Sequence, residues 1–585
     1  MVGRHQSSLH PILIFCVFSQ TVEIVILCFH RVLIIFGCTG LVVNVMNGNI
    51  PRDALIEDVR ELSGILESVH PDPYIRGGGK IAYHRRLQKL IKDIPQDGMT
   101  KEGFFYKIQP FVAALVDGHT NLSLIWTQKD RENPGGVPLY FEPIDEKLYV
   151  GAVTRQEHMP LIGALLVSIE AITFTELVNR MKNFVGYENF YGLLGSMGRS
   201  GALFNRDSLK RLVPEWKNEE EIRVVLRHSN GSEREYLLPP AEHVKYPLLQ
   251  PVSKIKFPDS KGWISYHFCD KERNIVYLRI DSMSNYREAH EYWHNVGMTQ
   301  FKNYTNRVYT LYNGREPPSN IEDVLNGIPS VTELFVEMLT EIRDAESEYL
   351  IVDLRKCIGG FDAINTFFMY HLVGLDEALS QQIKRIEVRK LSEFLHKTSD
   401  EGIKLEDISY NMLVPLTLND YDFSNDPQFS SDEERKRDLE NFHLGIFEKT
   451  PTFYRVFKTG EYERIYLPKK IFVLCSSSTA SSGYDMMINL KGLGAKIVGV
   501  PSGQSGNHFG NSQQFVLKNS NLVGYVSTKY FIGIPENPEP GQVLLAEYQL
   551  TYEKLASLCF DVNADLFNAL EIIEDEIRGC GIERN

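Results

Sequence analysis

Three segments hold side chains whose types and spacing could do nucleophilic chemistry. The first is KIFVLCSSSTASSGYDMMINLKGLGAKIVGV (470–500), in which an apolar strand passes through a Ser/Gly-rich turn into a helix. A serine at such a junction is exposed at the strand end, where the helix N-terminus offers free N–H groups and a partial positive charge. Acyl transfer needs those features to stabilise an oxyanion. Ser477, Ser478, Ser481 and Ser482 would serve equally well as plain turn and N-cap residues. The second segment is VDLRKCIGG (352–360), where Gly359-Gly360 allows the close backbone approach of an oxyanion-hole amide or simply makes a turn. The third is the tetrad Asp117-Gly-His-Thr120, which puts His119 in a loop between a helix and a strand. A lone loop histidine is ordinarily a surface residue. Together the three segments carry much more than any one of them.

The elements that must position these groups are legible from periodicity. Leu55, Val59, Leu62, Leu66 and Val69 recur at spacings of three and four and predict a helix, and a second helix is expected from Gly103 to Leu115. VPLYFEPIDEKLYVGAV (137–153) reads as two strands around a turn at Asp145. PLIGALLVSIEAITFTELVNRM (160–181) reads as strand, turn and helix, and EIRVVLRHSNGSEREYLL (221–238) as a hairpin turning at Asn230-Gly231. Beyond residue 262 strands and helices alternate, with strands at 274–280, 349–355, 470–475 and 495–500. Ser330-Val-Thr-Glu333 has the form of a capping box opening a helix that turns Leu334, Phe335, Met338, Leu339 and Ile342 inward. Two long polar stretches, 303–328 and 376–468, read as lid-like insertions, and 430–440 as a solvated helix face.

Composition narrows the function classes. The chain has 585 residues, enough for two to four domains at roughly 150 residues each. With 62 Lys+Arg against 76 Asp+Glu, a net charge of -14 and no useful basic run, a nucleic-acid partner is not expected. Of eight cysteines, Cys269, Cys357, Cys475, Cys559 and Cys580 lie far apart, so neither a disulfide framework nor a structural zinc site is expected. Residues 11–45 are strongly apolar in two pieces. The second, VLIIFGCTGLVVNV (32–45), is too short to cross about 30 Å of hydrocarbon and has the length of a signal-peptide core. A leader or signal anchor, and with it a secreted, lumenal or membrane-anchored location, is the expectation. Sequons at Asn121, Asn230 and Asn303 are compatible with that route.

On these residues the chain resembles the tail-specific (C-terminal-processing) serine peptidase family, whose catalytic fold is Clp/crotonase-like. LIVDLRKCIGG (350–360) is similar to the family's strand that ends in an Asn-Gly-Gly-Gly-type turn. VLCSSSTASSGYD (473–485) is similar to its nucleophile segment, T-A-S-[AS]-x-E. PSGQSGNHFG (501–510) and FVLKNSNLVGYVSTKYF (515–531) are similar to the stretch that follows, and GALLVSIEAITFTELV (163–178) to the family's PDZ-like domain. The resemblance implies a multidomain α/β (α+β) chain. It would comprise an apolar leader or signal anchor (1–47), an N-terminal helical region (48–130), a PDZ-like domain (131–262) and a serine peptidase domain (263–585).

It further implies that Ser481 is the nucleophile and that the N–H of Ser482 and of Gly359 or Gly360 form the oxyanion hole. The base depends on the branch. The tail-specific branch uses a lysine in the stretch that here reads GQSGNHFG (503–510), where none occurs. The tricorn-core and chlamydial-secreted-protease branch uses a histidine from the helical region, pointing to His119, and a downstream glutamate. Glu539 fits that glutamate best, ahead of Glu536 and Glu547. His508 is expected to be a surface-loop residue or an alternative base. Tyr484 stands where the family motif has Glu, and Cys357 where its turn has Asn. The expected activity is a serine endopeptidase acting on proteins or peptides without metal or organic cofactor, its oligomeric state undetermined. The alternative is an inactive ligand- or peptide-binding protein on the same fold.

Overall fold

The computed structural model describes residues 48–124, 135–198, 201–241, 248–257, 262–298, 301–398 and 416–582. The expected apolar leader lies outside the described residues. Among these, no helix is long and apolar enough to cross a membrane.

Three helices, Arg52–Val69, Gly79–Lys92 and Lys101–Ala113, come first among the described residues. Leu55, Val59, Leu62, Leu66 and Val69 are all fully buried. At about 1.5–3 kcal/mol per buried aliphatic side chain, that stripe holds the helix to its neighbours. A short strand, β1 (Asn121–Ser123), follows the third helix.

The next unit is a six-stranded antiparallel sheet. Its strands are β2 (Leu139–Ile144), β3 (Lys147–Val153), β4 (Leu165–Ile169), β5 (Ile172–Thr173), β6 (Ile222–Arg227) and β7 (Glu233–Leu238). The order is β2-β3-β4-β6-β7, with β5 paired to β4. Asp145 and Glu146 both take positive φ (48° and 58°), as a two-residue hairpin turn requires. The helix Phe174–Met181 starts at Thr173, whose hydroxyl accepts the Glu176 N–H.

Two more sheets make up the remainder, from β8 (Ile264–Phe268), β9 (Ile275–Ile280), β10 (Tyr349–Asp353), β11 (Ile386–Lys390), β12 (Tyr421–Asp422), β13 (Lys470–Cys475), β14 (Lys496–Gly499), β15 (Asn507–Val516), β16 (Val523–Ile532) and β17 (Tyr548–Gln549). One runs β17-β14-β13-β10-β9-β8, parallel except for β8. Every residue of β10 is buried, as befits a parallel strand covered on both faces. The other sheet runs β1-β16-β11-β12 with β15 on β16. It shares a core with the N-terminal helices through Phe515, Leu517, Leu522 and Val526.

Two expectations change. The stretches 303–328 and 376–468 are largely ordered elements. Helices Lys302–Asn313 and Asp432–Glu448 bury Tyr304, Val308 and Phe447 in the main core, and β11 is an interior strand of its sheet. Their charged outer faces hide these inward apolar positions from a reading of polarity. The box at Ser330 is half formed: its hydroxyl accepts the Glu333 N–H, but it donates to Glu288, which also takes the Val331 and Thr332 N–H groups. The buried Glu288 carboxylate thus serves two other free N–H groups of the first turn. The complete capping box, Ser431 with Glu434, lies in the charged run at 430–440.

Candidate active site

β10 and β13 are adjacent and parallel, with Asp353 opposite Leu474, so the turns leaving their C-terminal ends lie side by side. Such strand ends are where open parallel sheets hold their ligands. The turns are tied together by Ser476 Oγ, which donates to the Arg355 carbonyl (2.6 Å), and by Thr479 Oγ1, which donates to the Leu354 carbonyl (2.9 Å). The Ala480 N–H donates to the Cys357 carbonyl. Arg355 is itself pinned by a buried Asp353 carboxylate at 2.7 Å and 2.9 Å.

Ser481 is the last residue before the helix Ser482–Gly492. Its backbone sits at φ 52°, ψ -133°, and its side chain does not cap the helix. A non-glycine residue there carries about 1–3 kcal/mol of strain. The hydroxyl is therefore not consumed by the capping role open to it in sequence.

Gly359 (φ +102°) and Gly360 (φ +141°) take conformations that suit only glycine. The parallel bridge between Met283 and Gly360 uses the Gly359 carbonyl and the Phe361 N–H, which leaves the Gly360 N–H outside the ladder. Burial raises the Cys357 thiol pKa to about 12, against the Gly359 main chain, which pulls it down. Ser482 Oγ donates to the Gly360 carbonyl (3.0 Å), fastening the glycine turn to the helix N-terminus. The Ser482 N–H, the first of the helix, has no intrahelical acceptor. The Gly360 and Ser482 N–H groups are thus left out of the ladder and of the helix bonds.

The Asp117–Thr120 tetrad is fixed to β16. Asp117 is fully buried and accepts from His70 Nε2 (3.2 Å), Thr120 Oγ1 (2.5 Å), Ser527 Oγ (2.7 Å) and the His119 N–H (2.8 Å). The His119 ring faces Glu188, with Nδ1 3.2 Å from Oε1, an oxygen that also accepts the Gly118 N–H. Burial works against a charge on His119, but the hydrogen bond and charge of Glu188, with the charges of Asp117 and Asp485, raise its pKa to about 9. The ring retains 28% side-chain exposure, so it is reachable from outside, whereas Glu188 retains 6%. Burial pushes the Glu188 pKa up and the His119 hydrogen bond pulls it back.

Two intermediate side chains, His508 and Gln504, lie between His119 and the serine turn. The His119 and His508 rings lie 6.2 Å apart, His508 contacts Gln504 at 3.0 Å, and Gln504 accepts the Ser481 N–H at 2.6 Å. Glu188 belongs to the segment between helices Phe174–Met181 and Phe190–Gly198 of the β2–β7 unit. It is held by Arg76, which donates to the Glu188 and Val116 carbonyls, and by its neighbour Asn189, which donates to the Ser502 carbonyl. Its position 69 residues from His119 gave no spacing signal. The one local hint was an acid set among aromatics in GYENFYG.

Glu539, expected to orient the imidazole, is exposed on a loop, and its main-chain carbonyl accepts from Asn507; the carboxylate on the His119 ring is Glu188. Glu536 is exposed as well, and Glu547 accepts from Lys491 and the Ile497 N–H at the edge of β14. His508 is buried rather than a surface residue, and burial, followed by the charges of His119 and Arg385, lowers its pKa to about 3. Tyr484 is buried beside His508, with ring centroids 6.0 Å apart, and Cys357 is buried behind the glycine turn. Ligand atoms of Asp117, His119 and Glu188 lie within 4.8 Å of one another, close enough to share a cation. The four donors on Asp117 and the Glu188–His119 bond already employ them as a hydrogen-bond network.

Residues 274–534 match the model of peptidase family S41. Those residues, just under half of the chain, are similar to peptidase family S41. The S41 region spans β9 to β16 and so contains both the glycine turn and Ser481, while His119 and Glu188 are contributed from outside it. Among solved structures, mature CPAF complexed with lactacystin is similar at 13% identity and a TM-score of 0.47, over 89% of this chain and 98% of that one. The photosystem II D1 C-terminal processing protease is similar at 12% identity and a TM-score of 0.36, over 86% and 94%. A putative S41 protease from Bacteroides fragilis gives 10% and 0.31, over 83% and 94%. No curated protein sequence matches the chain. The matched region is that of a serine-type peptidase.

Proposed function

We propose that this chain is an S41 endopeptidase of the histidine-using branch, cleaving protein or peptide chains through a Ser481 acyl-enzyme. The observation that supports the reading is the strained, uncapped Ser481 packed against the glycine turn. The carboxylate-paired His119 ring lies 6.2 Å from the His508 ring that contacts Gln504, the acceptor of the Ser481 N–H. His119 Nε2 takes the Ser481 proton as general base while Glu188, on Nδ1, orients the ring and stabilises the imidazolium. Ser481 Oγ attacks the scissile carbonyl. The Gly360 and Ser482 N–H groups hold the oxyanion, each worth about 3 kcal/mol in the transition state. His119 then protonates the leaving amine, and water, deprotonated by the same ring, releases the acyl group. Every bond broken is balanced without a metal or organic cofactor. The β2–β7 unit, read as PDZ-like, would hold a peptide by strand addition at a sheet edge.

The test is labelling with a fluorophosphonate probe. Wild type should label at Ser481, and Ser481→Ala should neither label nor cleave casein while keeping the wild-type melting temperature. Equal labelling of the two proteins would remove Ser481 from the role.

A further inference from the structure

We propose that Gln504 is a positioning residue for the nucleophile, clamping the Ser481 main chain through a side chain that His508 orients. The inference rests on the reading of Ser481 as nucleophile and adds a group that no part of that reading requires.

The hydrogen-bond roles follow from one fact. His508 Nδ1 lies 3.1 Å from the Ser505 carbonyl oxygen, and a carbonyl only accepts, so Nδ1 carries the proton. In the neutral ring Nε2 is then an acceptor, and the group 3.0 Å from it must be the Gln504 amide nitrogen. That orientation turns Oε1 to the Ser481 N–H, 2.6 Å away. A side chain free to flip would meet Ser481 with its NH2 group half the time, setting donor against donor. The second imidazole removes that freedom.

The environment keeps His508 neutral. The ring is buried between Phe531 and Tyr484, with centroids 5.2 Å and 6.0 Å away. The charged groups around it are His119 at 6.2 Å, Arg385, stacked 4.6 Å over Phe531 and paired with Asp485 and Glu387, and the buried Asp117. Of these, the cations His119 and Arg385 oppose a proton on His508 more strongly than Asp117 favours one.

The clamp is anchored at its base. The Gln504 N–H donates to Ser502 Oγ (2.9 Å), and that hydroxyl donates to the Thr479 carbonyl (2.6 Å). The loop 502–508 thus grips the serine turn on both sides of Ala480. What it holds is a backbone at positive φ, which relaxes unless its surroundings oppose the strain. Relaxation would swing Oγ off the line to Gly360 and Ser482 without touching the substrate-binding surface.

The experiment compares Gln504→Met, which keeps size and loses both hydrogen bonds, with Gln504→Glu, which keeps the acceptor for Ser481 and loses the donor to His508. For a nucleophile displaced by about 1 Å, Q504M should lose roughly 100-fold in kcat with KM within about twofold. Its fluorophosphonate labelling should slow by the same factor. Q504E should recover to within about tenfold of wild-type kcat, having lost a single buried hydrogen bond. Q504M turning over at the wild-type rate, or Q504E as slow as Q504M, overturns the proposal. If Q504M does not fold, a folded Q504E within about tenfold of wild type supports the clamp, and a folded, inactive one overturns it. Labelling of wild type at Ser481 is scored separately: its failure would sink the nucleophile assignment, whereas normal labelling in both variants would sink only the clamp.

Discussion

Gly359 lies so close to Ser481 that a methyl group on its α-carbon would sit 2.6 Å from the serine Cβ and 3.0 Å from Oγ. The same methyl would be 2.9 Å from the Ser482 nitrogen, the proposed oxyanion donor. The glycine turn and the serine turn thus pack against each other in a space that no side chain can enter.

Gly359→Ala is accordingly expected to push the serine turn away while forcing an alanine to φ +102°. Destabilisation of about 1–3 kcal/mol should appear in a denaturant melt. The loss of kcat should exceed anything that stability explains. A folded G359A enzyme with wild-type kcat would contradict the packing.

The pH dependence follows from the sign of the His119 shift. A general base must be neutral, so activity should rise with pH and reach half its plateau near the raised pKa of about 9 in the free enzyme. Because Glu188 holds the proton there, Glu188→Gln should move the ascending limb of kcat/KM toward the ordinary histidine range near 6.5. Its plateau should also fall, since the ring loses its orientation. A limb that does not move on E188Q would remove Glu188 from contact with the base.

Acid should unfold this protein early. His290 and His508 have their pKa values lowered to about 3, His371 and His443 to about 4, in each case by burial of the ring first. The unfolded chain binds protons on these rings below about 6.5 and the folded chain does not. Stability from this source is therefore whole above about 6.5 and lost as pH falls toward 4, each ring costing up to about 1.4 kcal/mol per pH unit. Urea midpoints measured between pH 7 and 5 should fall steeply, and His443→Gln should flatten the slope by about one proton.

Arg355→Met should destabilise the fold by about 3–5 kcal/mol, because it leaves the Asp353 carboxylate buried without its partner. Asp353 would keep the Tyr277 hydroxyl at 2.6 Å and the main-chain N–H of residue 355 at 3.0 Å, and would lose both guanidinium bonds. The double variant Asp353→Asn with Arg355→Met should recover part of that loss in a denaturant melt. No recovery would mean that the guanidinium matters through its contacts with Asn563 and the Val562 carbonyl instead.

Much of this was legible from local pattern. The buried stripe of the first helix, the Asp145–Glu146 and Asn230-Gly231 turns, and the two apolar strands ending in SSSTASSG and KCIGG all follow from neighbours within a few residues. So does the placement of Ser481 at a helix N-terminus, since strand, turn and helix periods are written into adjacent positions. What failed were choices among distant candidates. The carboxylate at the Ser330 helix start is Glu288, distant in sequence from Glu333, and 376–468 hid core residues such as Phe447 and Phe453 behind a charged face.

The sequence by itself determined which segments could bear a nucleophile, a pair of close-approach glycines and a histidine, because those depend on backbone preferences that act locally. Only the tertiary structure decided that Glu188 rather than Glu539 faces the imidazole, and that Gln504 accepts the Ser481 N–H. A buried hydrogen bond goes to whichever partner the packed sheets and helices bring within about 3 Å, and that is set by register and packing across the whole chain rather than by spacing along it.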